Sequence, residues 1–216
     1  MWEPNVSSIV YGELIGESIF SARAIYQDAD GDDYSPDGTY VYTYSGAGSG
    51  TLTAGKKLDA GNYTLTATFD PAEASLGSNI TGTASLTVEK ATPAVVWNNP
   101  PDITYALFED DDPTEPPGSF TGPKLSDHQL NAIADIAGDF TYSPPLETEL
   151  NATEPNPWDD EENPQKVTAT FVPSDTDNYK SLPLPEKKDQ SGNIIQKEVK
   201  LEIEFHVLKG EIQIVW

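Results

Sequence analysis

The sequence contains no cysteine, and its single methionine is the first residue. No disulfide framework can form, which excludes the small stapled extracellular scaffolds and leaves a hydrophobic core to hold the fold. Positive charge is scarce as well: 12 Lys and Arg stand against 36 Asp and Glu, for a formal net charge of −24. Such a field repels nucleic acid and anionic lipid, and it makes divalent cations the natural small partners. There are two histidines, His128 and His206, and no Ser-centred elbow, His-Glu-x-x-His or phosphate-cradling glycine loop. His128 lies in a polar turn, and His206 alternates with apolar neighbours and is expected to face solvent. No apolar run approaches the roughly 20 residues of a membrane span, so no membrane insertion is expected. Helical periodicity is also missing, and nothing favours an enzyme.

Repetition takes the place of these features. The stretch Leu86-Thr87-Val88-Glu89-Lys90-Ala91-Thr92-Pro93-Ala94-Val95-Val96-Trp97 runs from an apolar strand through a Lys and a short spacer into a β-branched run and a Trp. Phe205 to Trp216 repeats that order, and Trp2 stands at the same stage. Trp2, Trp97 and Trp216 thus recur at spacings of 95 and 119 residues. The landmarks between them recur in order. Ile103-Thr104-Tyr105 answers Ile9-Val10-Tyr11, Gln129-Leu130-Asn131-Ala132 answers Ile19-Phe20-Ser21-Ala22, and Gly138-Asp139-Phe140-Thr141-Tyr142 answers Gly38-Thr39-Tyr40-Val41-Tyr42. Val167 to Pro173 then answers Leu65 to Pro71. Ordered matches of this kind mark an internal repeat. The expected division is a first module over 1–91, a second over 92–210, and the start of a third repeat at 211–216, cut from a longer array. The charge is shared: 4 Lys and Arg against 12 Asp and Glu up to Lys90, and 8 against 24 after it.

Short alternating runs of β-branched and aromatic residues, separated by Gly, Pro, Asn and Asp, predict an all-β fold: two tandem immunoglobulin-like antiparallel β-sandwich modules. Ser8 to Tyr11 and Ser18 to Tyr26 read as the first two strands. Thr39 to Tyr44 sets Tyr40, Tyr42 and Tyr44 on one face, either in a core or as an exposed stripe. In Tyr63 to Phe69 the alternate Tyr63, Leu65, Ala67 and Phe69 should point inward, and Pro71, which lacks a ladder N–H, should end the strand. The second module carries two extra segments, Phe108 to Lys124 and Pro183 to Gln196, expected to be loops or an edge hairpin.

Several elements together resemble the bacterial immunoglobulin-like tandem repeats of the glycine-rich, mostly-β MBG type. These are the opening Trp2 followed by Ile9-x-Tyr11-Gly12, the Gly-x-aromatic-x-Tyr centre, and the run Ala60-Gly61-x-Tyr63-x-Leu65-x-Ala67-x-Phe69. Thr170-Phe171-x-Pro173-x-Asp175-x-x-Asn178-Tyr179 and the Val88-x-Lys90-Ala91-Thr92-Pro93 junction complete the set. The resemblance covers nearly the whole chain, with departures at Glu73 to Asn79, where the second module has Asp175 to Tyr179, and at Ala106, where the first has Gly12. It implies a secreted or cell-surface adhesin-like protein of a bacterium, in which such modules act as a spacer or stalk beside neighbouring repeats of the same chain. The alternative is a module that binds a glycan or a surface protein through the insertion loops of module 2.

Candidate sites follow from residue chemistry. Asp28, Asp30, Asp32 and Asp33 surround Gly31, with Asp37 beyond, and a calcium ion takes six to eight such oxygens in a loop that glycine lets curl. A solvated acidic turn is the plainer reading of the same residues. Glu109 to Asp112 and Asp159 to Glu162 are weaker charge runs, and Asp175 to Tyr179 is better suited to an Asx-bonded turn. Trp2, Trp97 and Trp216, with Pro93 in the junction, are expected to pack between modules or cap a core. Trp158, flanked by Pro157 and Asp159, is a ligand-binding candidate: an aromatic that could stack on sugar or cover its own loop.

Overall fold

A computed structural model describes residues 7–28, 30–77, 79–105, 123–150, 164–185, 187–188, 190–192, 194–196 and 198–209. The fold is mostly β, in several sheets, with two single-turn 3-10 helices at Glu17–Ile19 and Ala74–Leu76 among the described residues. The chain divides into two compact units. The first is Met1–Thr92 together with Asp175–Lys180, and the second is Pro93–Ser174 with Ser181–Trp216. The break thus falls at Thr92 and Pro93, and the hexapeptide 175–180 belongs to the first unit. The Trp216 end and the expected third repeat lie outside the described residues.

The first unit holds β1 (Ser8–Val10), β2 (Tyr26–Gln27), β3 (Asp33–Tyr34), β4 (Gly38–Gly46), β5 (Gly50–Thr51), β6 (Gly61–Pro71) and β7 (Ile80–Glu89). Its main sheet has the order β1-β7-β6-β4-β5, with β2 and β3 as a separate ribbon. Alternation along β6 drives the packing. Tyr63, Leu65, Ala67 and Phe69 are all at most 4 % exposed, while the intervening threonines and Asn62 turn outward. Burying one such side chain stabilises by about 1.5–3 kcal/mol, so β6 is the spine of the unit. Across the ladder Tyr40, Tyr42 and Tyr44 pack against the same core, while Val41 on the other face is 55 % exposed. The tyrosine row is therefore core lining.

The second unit holds β8 (Val95–Val96), β9 (Ile103–Tyr105), β10 (Ile133–Ala134), β11 (Gly138–Ser143), β12 (Gln165–Pro173), β13 (Lys187–Lys188), β14 (Ile194–Gln196), β15 (Glu202–Phe205) and β16 (Val207–Lys209). The ladder β11-β12-β15 repeats β4-β6-β7 in register. Tyr40↔Phe69 and Tyr42↔Ala67 become Phe140↔Phe171 and Tyr142↔Ala169, and Gly38↔Pro71 becomes Gly138↔Pro173. Trp97 packs against both buried clusters of this unit, lies 5.4 Å from the Tyr142 ring, and donates Nε1–H to Gln129 O at 2.9 Å. Pro93, nearby in sequence, is buried.

Two expectations change. Ser18 to Tyr26 is not a strand: a 3-10 turn covers Glu17–Ile19, and only Tyr26–Gln27 is laddered. The residues suit a strand, but among the described residues Arg23 to Ile25 have no strand beside them. His206 does not simply face solvent. Its side chain is 27 % exposed and its Nδ1 lies 3.2 Å from Asp102 Oδ1, because the segment carrying Asp102 lies beside it. Its backbone N–H also donates to Asp102 Oδ1 at 2.8 Å, which holds that carboxyl below its ordinary value.

The segment from Pro183 to Gln196 interrupts a strand rather than extending one. Phe171 and Leu182 exchange both backbone bonds at 2.9 Å, and Ala169 N–H donates to Leu201 O at 2.8 Å. In the first unit the corresponding partners, Ile80 opposite Phe69 and Gly82 opposite Ala67, are two residues apart. The second unit inserts the β13–β14 ribbon between them.

Candidate functional site

The first unit carries a groove of about 590 Å3. Its floor is Tyr40, Ala67 and Phe69, one wall is the backbone from Ser21 to Tyr26, and the other is Leu76 with Ile80, Thr81 and Gly82. The wall is held at its base by tyrosine hydroxyls: Tyr40 Oη accepts the N–H of Ala24, and Tyr42 Oη that of Ala22. Burial raises the Tyr42 hydroxyl above its ordinary value, and the Ala22 bond partly offsets the shift. Tyr142, bonded to Ala132 N–H at 3.1 Å, is raised in the same way.

Apolar side chains at the rim are unusually open. Ile25 is 63 % exposed and Ile80 48 %. Tyr26 and Tyr34 face each other across the β2–β3 ribbon with ring centroids 5.1 Å apart. Arg23, the only arginine in the chain, sits on the wall with Nη2 3.4 Å from Ser35 Oγ. The titratable side chains lining the groove are Arg23, Tyr26 and Tyr40. That set brings no carboxylate or imidazole to the groove; it supplies an apolar floor and one cation, and among the described residues no strand lies beside Arg23 to Ile25.

The acidic loop beside it is organised by its own backbone. Asp28 Oδ1 accepts the N–H groups of Asp30 at 3.0 Å and Asp32 at 2.9 Å, and Gln27 Nε2 reaches Gly31 O and Asp33 Oδ1. Asp28, Asp30, Asp32, Asp33 and Asp37 are all exposed. Among the described residues no three His, Asp or Glu side chains gather where they would hold a metal ion. The loop is an Asx-bonded turn as it stands and presents no preformed calcium cage.

A second polar centre of this unit is one that sequence reasoning treated only as a turn. Asn178, 8 % exposed, accepts the N–H of Ala60 at 2.7 Å through Oδ1 and donates Nδ2–H to Asp175 Oδ2 at 3.0 Å and to Asp59 Oδ1 at 3.4 Å. Its backbone O accepts Ala91 N–H, Lys90 Nζ donates to Thr176 O, and the Tyr179 ring meets Tyr11 edge-on at 5.3 Å. Lys57 Nζ lies over the Tyr11 ring, 3.9 Å from its centroid. The Asx bond from Asp175 Oδ1 to Asn178 N–H is the turn expected there. The Asn178-Tyr179 pair was visible, but nothing in the sequence said which segment it would meet.

Trp2, Trp158, Trp216 and the runs Glu109 to Asp112 and Asp159 to Glu162 lie outside the described residues. No helix among the described residues is long and apolar enough to cross a membrane. No protein-family model, no curated protein and no solved structure matches the chain.

Proposed function

We propose that this chain is a tandem pair of immunoglobulin-like antiparallel β-sandwich modules of the glycine-rich, mostly-β repeat type, acting as a load-bearing spacer in a secreted or surface-attached, adhesin-like bacterial protein. The observation that carries the reading is how each unit closes. β1 lies parallel to β7, with Ser8↔Thr87, Ile9↔Val88 and Val10↔Glu89 paired. In the second unit β9 lies parallel to β16, with Ile103↔Val207, Leu208↔Thr104 and Lys209↔Tyr105 paired. Bonds continue past both ends of the first pair: Thr87 N–H donates to Ser7 O at 3.0 Å and Tyr11 N–H to Glu89 O at 2.8 Å.

The mechanical consequence follows from direction. When a strand near a unit's start lies parallel to its last strand, tension applied to the incoming and outgoing chain slides one along the other. The ladder bonds between them then load together instead of opening one at a time. A module whose task is to hold length under pull is well served by that arrangement, and both repeats have it. The acidic surface supports solubility and gives no grip on nucleic acid.

Single-molecule stretching of the chain from its two ends tests this. Two separate unfolding events are expected, each releasing about 30–40 nm at roughly 3.5 Å per residue. Ile103→Pro, which removes the amide that donates to His206 O at 2.8 Å, should lower the force of one event and leave the other unchanged. Unfolding at forces indifferent to Ile103→Pro would remove the load-bearing role.

A further inference from the structure

We infer that the outward face of the first unit's main sheet is a self-association surface, on which a second copy of this chain packs the same face of its own β4, β6 and β7.

Register builds the face. Opposite residues of a ladder point to the same side, so the pairings that bury Tyr63, Leu65, Ala67 and Phe69 set the residues between them in outward rows. Thr51, Thr43, Thr66 and Thr83 form one row across β5, β4, β6 and β7. Beside it, Thr68 pairs with Val41 and Thr81, and on the other side Thr64 lies between two serines. None of these residues is buried. Along the outward positions of β4, β6 and β7, hydroxyls stand at ten places of fourteen. The carboxylates there are Asp70 and Glu89, toward opposite ends of the face, and there is no Lys or Arg.

The fold does not require this composition. In the second unit the same ladder turns Asp139, Lys166, Glu202 and Glu204 outward, and Lys166 Nζ lies 2.6 Å from Glu204 Oε1. Mixed charge of that kind is what a sheet presents to water. Depletion of charge across the middle of a patch is the compositional mark of a surface that meets another protein.

Charge also selects the partner. A chain of net charge −24 repels its own kind over most of its surface, and two copies approach at least cost where neither presents a carboxylate. Nucleic acid and anionic lipid find no cation there. A hydroxyl both donates and accepts, so a face of hydroxyls is complementary to itself, as a two-fold pairing demands. Two sheets of the same twist pack about 10 Å apart with their strands inclined by about 30°. Five strands about 4.8 Å apart and nine residues at about 3.3 Å each span roughly 20 Å by 30 Å, or about 600 Å2 per copy. That area stands at the low end of specific interfaces, so the complex is a weak, reversible dimer.

Sedimentation equilibrium of the full chain at roughly 50 mM and 500 mM NaCl tests the pairing. A monomer–dimer equilibrium with a dissociation constant of roughly 10–1,000 μM is expected, several-fold tighter at the higher salt because screening removes the repulsion of two acidic chains. Thr66→Glu brings carboxylates together at the centre of the pairing and should weaken it by about tenfold or more. Thr83→Glu, at an exposed place in the same row, should repeat the loss from a second strand. Thr168→Glu, at the place in the second unit that corresponds to Thr66, adds the same charge and should leave the equilibrium unchanged. Each variant should melt within about 3 °C of the parent, as substitutions on an open face do. A chain that stays monomeric at both salts overturns the pairing, as does association that weakens with rising salt or that Thr168→Glu reduces as much as Thr66→Glu. A monomer retained on a neutral polysaccharide matrix, and released by Thr66→Glu, would overturn the second copy in favour of a glycan.

Discussion

Phe140 lies against Phe171 across the β11–β12 ladder with ring centroids 4.7 Å apart and planes inclined by 38°. Tyr40 and Phe69 repeat the contact in the first unit at 4.7 Å and 40°. The Phe of each pair is nearly or fully buried, and each folds over a glycine two residues before its partner: Gly138 beneath Phe171 and Gly38 beneath Phe69. The ring occupies the space a side chain would need there.

Gly138→Ala is expected to destabilise the second unit by about 1–3 kcal/mol, in the range of core overpacking. A Cβ at 138 would stand 2.5 Å from both Phe171 Cζ and Val172 O, and a backbone carbonyl in a ladder cannot swing aside. Urea unfolding followed by circular dichroism reads the loss, and Gly38→Ala should match it in the first unit. A neutral effect at both would mean that the ring and the ladder yield more readily than their burial implies.

Asn178→Ala should cost the first unit about 1–3 kcal/mol, because the Ala60 N–H and the Asp59 and Asp175 carboxylates lose a partner in a half-buried site. Asp177→Ala, at an exposed neighbour in the same turn, should stay within about 0.5 kcal/mol. Hydrogen exchange at Ala60 separates the two, since its amide loses protection only in the first variant.

Acid should release the Asp102 contact. The His206 backbone N–H, and then the His206 ring, hold this carboxyl below its ordinary 3.8 in the folded chain. Its contribution is therefore full above the unfolded value and is lost as pH falls below that value and through the lower folded one. Asp102→Asn should flatten the pH dependence of unfolding in that acid range.

Calcium is expected to leave the melting temperature within about 1 °C of its value in excess chelator, since Asp28 Oδ1 is already engaged by two backbone amides and the other carboxylates do not converge. A site filled at 100 times its dissociation constant would add about 2.7 kcal/mol. A rise of several degrees, lost in the double variant Asp30→Ala and Asp32→Ala, would establish a metal loop that forms only on binding.

Local pattern was readable wherever a residue's role depends on its own strand. The inward set of β6, the tyrosine face of β4 and the recurrence of each in β12 and β11 follow from a period of two, which the pleat imposes on any half-buried strand. The Asx turn at Asp175 needed only residues three apart. Ser18 to Tyr26 misled for a related reason: its composition suits a strand, but a ladder needs a neighbour, and pairing is a property of two segments. His206 sat on the polar side of its alternation as expected, yet Asp102, from a distant part of the sequence, meets it there.

What the sequence determined by itself is therefore a repeated, disulfide-free, acidic β-chain with a fixed inward face on each long strand, because alternation and the order of landmarks are local and cumulative. Only the tertiary structure decided that each unit pairs a strand near its start in parallel with its last described strand, that residues 175–180 complete the first unit, and that the first unit has a groove where the second has Leu182 and Leu201. Those outcomes depend on which segments meet across long separations, and the competition among possible pairings is settled by shared burial and backbone bonding that no single stretch carries.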